Sequence, residues 1–224
     1  MANENWEENP EGMRDFFAAR VDDYDAHMHG IEGLDEAYAR LAALLPAGAR
    51  SLLDLGCGTG LELVPVFDRF PALEVTGIDL TQEMLEVLTA RFAGRSLRLI
   101  CGDYLRHDLG GALFDAAVSA ESLHHFSHAQ KRALYRRIGL ALRPGGVYIE
   151  ADFIALSQDE EDTLYAKRAS ALRDAGRQDG LWHLDTPCTA QNQLRLLREA
   201  GFSRVALEGR WGQTALFVAE TFAP

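Results

Sequence analysis

"SLLDLGCGTGLELVPVF", Ser51 to Phe67, is the stretch on which the reading of the chain turns. Leu52, Leu53 and Leu55 surround Asp54; glycines follow at 56, 58 and 60, and a helical apolar pattern then resumes. Glycine lets a backbone turn sharply and admits a ligand where a side chain would collide. The helix beyond the turn offers unpaired N–H groups to that ligand. The dinucleotide fingerprint G-x-G-x-x-G needs its third glycine at position 61, where Leu61 stands and Gly60 comes one residue early. A phosphate loop ending in Gly-Lys-Ser/Thr is absent, because no lysine occurs between Met1 and Gln130.

Outward from this turn, short apolar runs alternate with helical patterns. The expected strands are 51–55, 74–78, 97–101, 114–119 and 147–153, with helices near 61–70, 82–92 and 128–142. Such alternation implies parallel strands joined by right-handed crossovers, with helices on both faces. Thr81 is placed to cap the second helix, and Ser127 with Gln130 makes a capping box that starts a helix at His128. "RPGG", Arg143 to Gly146, reads as the turn ending that helix. Pro65 sits early in its helix, where a local irregularity is expected.

The alternation then breaks. Ser157 with Glu160 opens an extra helix over 157–175, residues 176–189 are irregular, and a helix over 190–200 stops at Gly201. Two closing strands, 205–208 and 215–220, flank "GRWGQT" and read as an antiparallel hairpin. Helices over 13–19 and 34–45 lie outside the repeat. The chain is therefore expected to be one α/β domain. A helical cap (1–48) precedes the core (49–155); a helical insertion (156–189) and a closing helix with hairpin (190–224) follow, the cap and insertion together forming a lid.

Composition narrows the partners. The chain has 224 residues, 47% of them hydrophobic, and a formal charge of −12. An acidic chain gains no counterion-release energy from phosphate backbones, so nucleic acid is not an expected partner, whereas a cationic ligand suits it. Arg132, Arg136 and Arg137 form a local basic cluster, read as a solvated helix face. The three cysteines, 57, 101 and 188, include no Cys-x-x-Cys pair and read as reduced, buried thiols of a cytoplasmic protein. "MANENWEENPEG" has the character of neither a signal nor a transit peptide, and no apolar run approaches the roughly 20 residues that span a bilayer.

The strand–Asp-x-Gly-x-Gly-x-Gly turn resembles motif I of the class I S-adenosylmethionine-dependent methyltransferases. "VTGIDL" ending in Asp79, "LICGDY" with Asp103 and "LRPGGVYIEADF" extend the resemblance over roughly residues 50–155. It implies a Rossmann-like, doubly wound sheet of seven strands whose last strand runs antiparallel between two others. It also implies S-adenosylmethionine as cofactor. Asp54 would then sit near the cofactor's ammonium, with the backbone of Gly56, Cys57, Gly58 and Gly60 along its amino-acid and ribose portions. Asp79 would hold the ribose, Leu80 and Met84 would pack near the adenine, and Gly102, Asp103 and Tyr104 would meet its amino edge and ring. The backbone at Ala120 would also touch it. "FFAARVDDYD" is similar to the family's opening segment, so Tyr24, with Arg20, would reach the methionine carboxylate. The plainer readings are that Asp79 and Asp103 cap turns and that Tyr24 is a helix-surface aromatic.

"ESLHHFSH", Glu121 to His128, carries three of the seven histidines just past the fourth strand, at the sheet edge where ligands bind in such folds. Metal is not expected: adjacent His124 and His125 should diverge, and no ligand set stands at metal spacing. His27 and His29 could join only through folding. "LHHF" resembles the loop of plant small-molecule O-methyltransferases in which a histidine acts as base, a role that falls on His124. Glu121 is a second candidate, because a carboxylate here faces the sulfonium. The alternative is that His124 or His125 only packs in the loop. His128 reads as the first helical residue. The reading is a methyltransferase acting on a small molecule, monomeric or homodimeric, with Trp182 and Phe153 as substrate walls. Two alternatives remain: binding of an S-adenosylmethionine analogue without methyl transfer, and an NAD(P)-dependent oxidoreductase, which lacks a Tyr-x-x-x-Lys pair here.

Overall fold

Val75, Leu52, Ala116 and Val147 alternate with Ile78, Leu53, Ala117 and Tyr148 to two faces of one sheet, and each face builds its own apolar layer. The computed structural model describes residues 10–178 and 180–223. Among these, seven strands form one sheet in the order β3-β2-β1-β4-β5-β7-β6. They are β1 Ser51–Leu55, β2 Glu74–Asp79, β3 Leu97–Cys101, β4 Phe114–Ala120, β5 Leu142–Phe153, β6 Arg204–Trp211 and β7 Thr214–Glu220. The first five run parallel; β7 lies antiparallel between β5 and β6. The expected fold class and closing hairpin are therefore found.

The helices are α1 Met13–Ala18, α2 Val21–His29, α3 Leu34–Leu44, α4 Leu63–Arg69, α5 Gln82–Arg91, α6 His128–Ala141, α7 Gln158–Asp174 and α8 Ala190–Ala200. One layer packs α2, α3, α4 and α5 on the sheet; the other packs α6 and α8. α2 was not expected. Its run of charged residues hides the pattern, because only Met28 is fully buried.

Caps decide several boundaries. The Ser127–Gln130 box is complete. Ser157 accepts from the Glu160 amide, but the Glu160 carboxylate takes the Leu156 amide instead of closing the box. Thr81 gives no side-chain cap to α5; Asp79 Oδ1 accepts the Thr81 N–H at 2.8 Å instead. Gly201 stops α8 in the left-handed conformation. The turn expected at "RPGG" lies inside β5: register jumps from Phe114–Leu142 to Ala116–Val147, so these residues bulge out of the ladder. The hairpin tightens to Gly212–Gln213, because Trp211 already pairs with Thr214.

The cap and insertion meet. Met13 N–H donates to the Leu181 carbonyl at 2.9 Å and His183 N–H to the Glu11 carbonyl at 3.0 Å. The His183 ring stacks on Phe16 with centroids 3.4 Å apart. Cys57 and Cys188 are buried as expected, but Cys101 is exposed, since β3 is an edge strand. The basic cluster is a solvated face at Arg132 and Arg136, Arg132 pairing with Glu199 at 3.2 Å, whereas Arg137 turns to donate to the carbonyls of Tyr104 and Leu105. No helix among the described residues is long and apolar enough to cross a membrane.

Candidate active site

The glycine loop leaves β1 and returns over the carboxyl ends of β1 and β2. Gly56, Gly58 and Gly60 all have positive φ. A β-carbon on Gly56 would stand 1.9 Å from Ser122 Oγ, and one on Gly60 2.9 Å from Phe92 and 3.0 Å from Leu88. Gly56 thus lets the loop meet the segment after β4, while Gly60 lets it sit on α5. Asp79 ties the loop to the sheet: Oδ2 accepts the Gly58 N–H at 2.9 Å and Oδ1 the Thr81 N–H. Burial raises its carboxyl, against these amide hydrogen bonds, which lower it. Each oxygen keeps a further lone pair for a ligand.

A cleft opens above this loop, lined by Met13, Phe17, Tyr24, Gly56, Gly58, Asp79, Leu80, Met84, Tyr104, Glu121, Ser122 and His125. The structure thus gathers Tyr24, Gly56, Gly58, Asp79, Leu80, Met84, Tyr104 and Glu121 of the expected site. Tyr104 donates to or accepts from Ser122 Oγ at 2.8 Å. Eight expected residues lie outside the lining: Arg20, Asp54, Cys57, Gly60, Gly102, Asp103, Ala120 and His124. Cys57 and Ala120 are buried in the core, and Asp103 turns back to accept the Leu105 N–H at 2.8 Å. Arg20 donates to the Phe16 carbonyl at 2.9 Å, and its guanidinium lies 3.7 Å over the Phe16 ring. Gly102 donates its N–H to the Asp79 carbonyl at 2.7 Å. Trp182 and Phe153 do not line the cleft either.

α2 is latched to the loop. Thr59 Oγ1 donates to Asp25 Oδ1 at 2.6 Å, and Arg91 bridges Asp25 and the Thr59 carbonyl. Asp25, Phe17, Met13 and Ser122 were missed from sequence; only the Tyr-Asp pair at 24–25 carried a signal. Below the loop, Asp54 is wholly buried with neither carboxylate oxygen hydrogen-bonded by other groups, and Glu62 is buried beside it. Burial, with the Glu62 charge, holds the Asp54 carboxyl well above the usual range; burial pushes Glu62 up to about 7. One proton shared between them relieves both.

The histidine stretch turns tightly after β4, with Glu121 at φ 45°. The expected divergence of His124 and His125 does not occur. Their ring centroids lie 4.0 Å apart, and both face Asp185. His124 Nδ1 is 2.7 Å from Asp152 Oδ1, at the end of β5, and 3.9 Å from Glu121. Burial opposes its charge, but Asp152, Asp185 and Glu121 together raise it to about 9. Burial raises Glu121 to about 8, against the pull of His124. His125 is lowered by burial and by His124. His125, rather than His124, borders the cleft. His128 does start α6, and its Nε2 lies 2.7 Å from Glu161. His29 pairs with Asp35 at 2.8 Å. Asp152 and Asp185 had no sequence motif to mark them.

Comparison with known proteins gives the arrangement a family. Residues 52–146 match the family model described as "Methyltransferase domain". An uncharacterized methyltransferase of Mycobacterium tuberculosis is 31% identical over 159 residues, covering 70% of this chain and 69% of that protein. The carboxy-S-adenosyl-L-methionine synthase of Campylobacter concisus is 27% identical over 190 residues, covering 80% of each. A crystal structure from Nostoc punctiforme, described as an O-methyltransferase, superposes with a TM-score of 0.69 at 25% identity. That alignment covers 95% of this chain but only 62% of that one. With its glycine loop, the acid closing β2 and the antiparallel seventh strand, the chain belongs to the class I S-adenosylmethionine-dependent methyltransferases.

Proposed function

We propose that this protein transfers the methyl group of S-adenosylmethionine to an oxygen of a small-molecule acceptor, held between the glycine loop and the N-terminal helices. The observation that carries the reading is the cleft itself. Its floor is the backbone of Gly56 and Gly58 with Asp79, and its roof is Met13, Phe17 and Tyr24. Asp79 takes the ribose hydroxyls, Leu80 and Met84 flank the adenine, and the Tyr24 hydroxyl is aimed at the methionine end. Gly60, Cys57 and Ala120 shape the loop from behind; Asp54 and Glu62 set the negative field under the ammonium. Methyl transfer is an in-line displacement, so holding donor and acceptor in contact supplies most of the acceleration. A roof that keeps water out favours dispersal of the sulfonium charge in the transition state. Glu121 at the cleft edge, with His124 behind it, handles the acceptor proton. The cap (1–48) and the insertion (156–189) act as one lid over the core (49–155), supported by the Met13–Leu181 and His183–Glu11 backbone bonds. Residues 1–9 fall outside the described part. The unpaired cysteines and the acidic chain fit a cytoplasmic monomer or homodimer without nucleic-acid or membrane partners.

Likeness to the Campylobacter synthase favours a second reading, a sulfonium carrying a carboxylate in place of the usual methyl donor. Among the described residues the cleft lining counts against it, since it holds Asp79 and Glu121 and neither lysine nor arginine. Calorimetry with S-adenosylmethionine, S-adenosylhomocysteine and NAD, then turnover of a radiolabelled methyl donor over hydroxylated metabolites, tests the proposal. Binding without any transfer, with a carboxylated sulfonium co-purifying by mass spectrometry, would replace it with the second reading.

A further inference from the structure

His124 Nε2 and His125 Nδ1 lie 3.8 and 3.1 Å from the same atom, Asp185 Oδ1. The ligand atoms of the three residues all lie within 4.8 Å of one another, near enough for small side-chain turns to bring them to the roughly 3–3.5 Å at which two atoms share one ion. The other nitrogen of His124 meets Asp152 at 2.7 Å. An ionised carboxylate only accepts, so Nδ1 carries a proton, and an ion that binds Nε2 displaces the second proton of the imidazolium. A carboxylate behind an imidazole is the support that orients metal-bound histidines.

A separate observation points to a missing partner. His125 is only 3% exposed, yet its Nδ1 has no hydrogen bond, and neither has Asp185 Oδ1. The two atoms face each other at 3.1 Å as an ion pair, a spacing that one shared ion would also fit. Glu121, His124 and Asp152 form an adjoining group, but the Nδ1–Asp152 bond already uses the nitrogen an ion would need there.

We infer that His124, His125 and Asp185 bind one divalent first-row transition ion at the edge of the cofactor cleft. Two imidazoles and one carboxylate suit such ions and leave coordination positions open to water or an oxygen ligand. Of the three residues, His125 is the one that borders the cofactor cleft. Ion binding stands by itself; use of the ion on the acceptor rests on the methyl-transfer reading. In that use the acceptor hydroxyl sits at an open position and gives its proton to the Glu121 carboxylate at the cleft edge, and from there to solvent. Its lone pair then forms the O–CH3 bond while the C–S pair returns to sulfur.

The test uses the full chain without a histidine tag, stripped with chelator and titrated with CoCl2 or ZnCl2 in the absence of cofactor. One equivalent of Co2+ is expected, with visible d–d absorption that Zn2+ displaces. Asp185→Ala, on a half-exposed side chain whose loss spares the core, should weaken Co2+ binding at least 100-fold with an unchanged far-UV dichroism spectrum. Asp152→Asn should weaken it about 10–100-fold. Absence of stoichiometric Co2+ binding, or Asp185→Ala binding as tightly as the parent, overturns the site. S-adenosylmethionine binding, measured separately on stripped protein, keeps the two readings apart: cofactor binding without Co2+ binding removes the ion site alone.

Discussion

His124 Nδ1 and Asp152 Oδ1, 28 residues apart in sequence, meet at 2.7 Å where β4 and β5 end side by side. Asp152 is also 3.8 Å from Lys131 Nζ, so one buried carboxylate serves two cationic groups. Asp152→Ala leaves both without a counter-charge in the interior, a loss of about 3–5 kcal/mol for a broken buried pair. Urea denaturation should show it, with Asp152→Asn losing less. Equal midpoints for Asp152→Ala and the parent would mean that neither partner is charged in the folded protein.

His124→Ala should leave cofactor affinity within about twofold, because the imidazole stands behind the lining, and should lower turnover by about 10²-fold or more if it serves the acceptor. Calorimetry and single-turnover kinetics separate the two effects. A parallel loss in both would assign His124 to loop packing.

Asp79→Ala removes the acceptor of two backbone amides as well as a ribose partner. Cofactor binding should weaken by about 1–3 kcal/mol, and the melting temperature of the ligand-free protein should fall with it. Unchanged affinity in calorimetry would remove Asp79 from the ribose site.

Gly56→Ala and Gly60→Ala should part company. The first drives a methyl into Ser122 and disturbs the cleft wall, so it should abolish cofactor binding. The second strains a left-handed residue against Phe92 and Leu88, so it should cost about 1–3 kcal/mol of folding stability. Chemical denaturation and cofactor titration of both variants check the contrast.

Glu62 is raised from 4.5 to about 7 by burial. The folded state therefore holds a proton that the unfolded state releases, and stability falls as pH rises from about 4.5 through about 7, then levels off. Glu62→Gln should make that decline in melting temperature shallower, the remainder coming from Asp54, Glu121 and Glu150, which burial also raises. The same slope in the variant would shift the effect to other groups.

Much of the site was legible because the residues that shape it lie where local rules apply. A turn with three left-handed positions next to a strand is written in glycines 56, 58 and 60, and Asp79 stands at a strand end that periodicity locates. The same rules missed α2, whose charged run buries little; the places of Asp103, which accepts the Leu105 N–H, and of Arg20, which lies on Phe16, are tertiary and no local rule reaches them.

The succession of strands and helices, the glycine turn and the acid closing β2 were determined by the sequence alone, since hydrophobic period and backbone freedom are properties of neighbouring residues. The order of the strands in the sheet was implied only by the family resemblance. The tertiary structure decided what His124 and His125 do. Their partners Asp152 and Asp185 come from β5 and the segment before α8, and no sequence pattern links groups whose only relation is that the folded chain buries them together. Burial then sets their charges, because a carboxylate and an imidazole removed from water must find each other or a third partner.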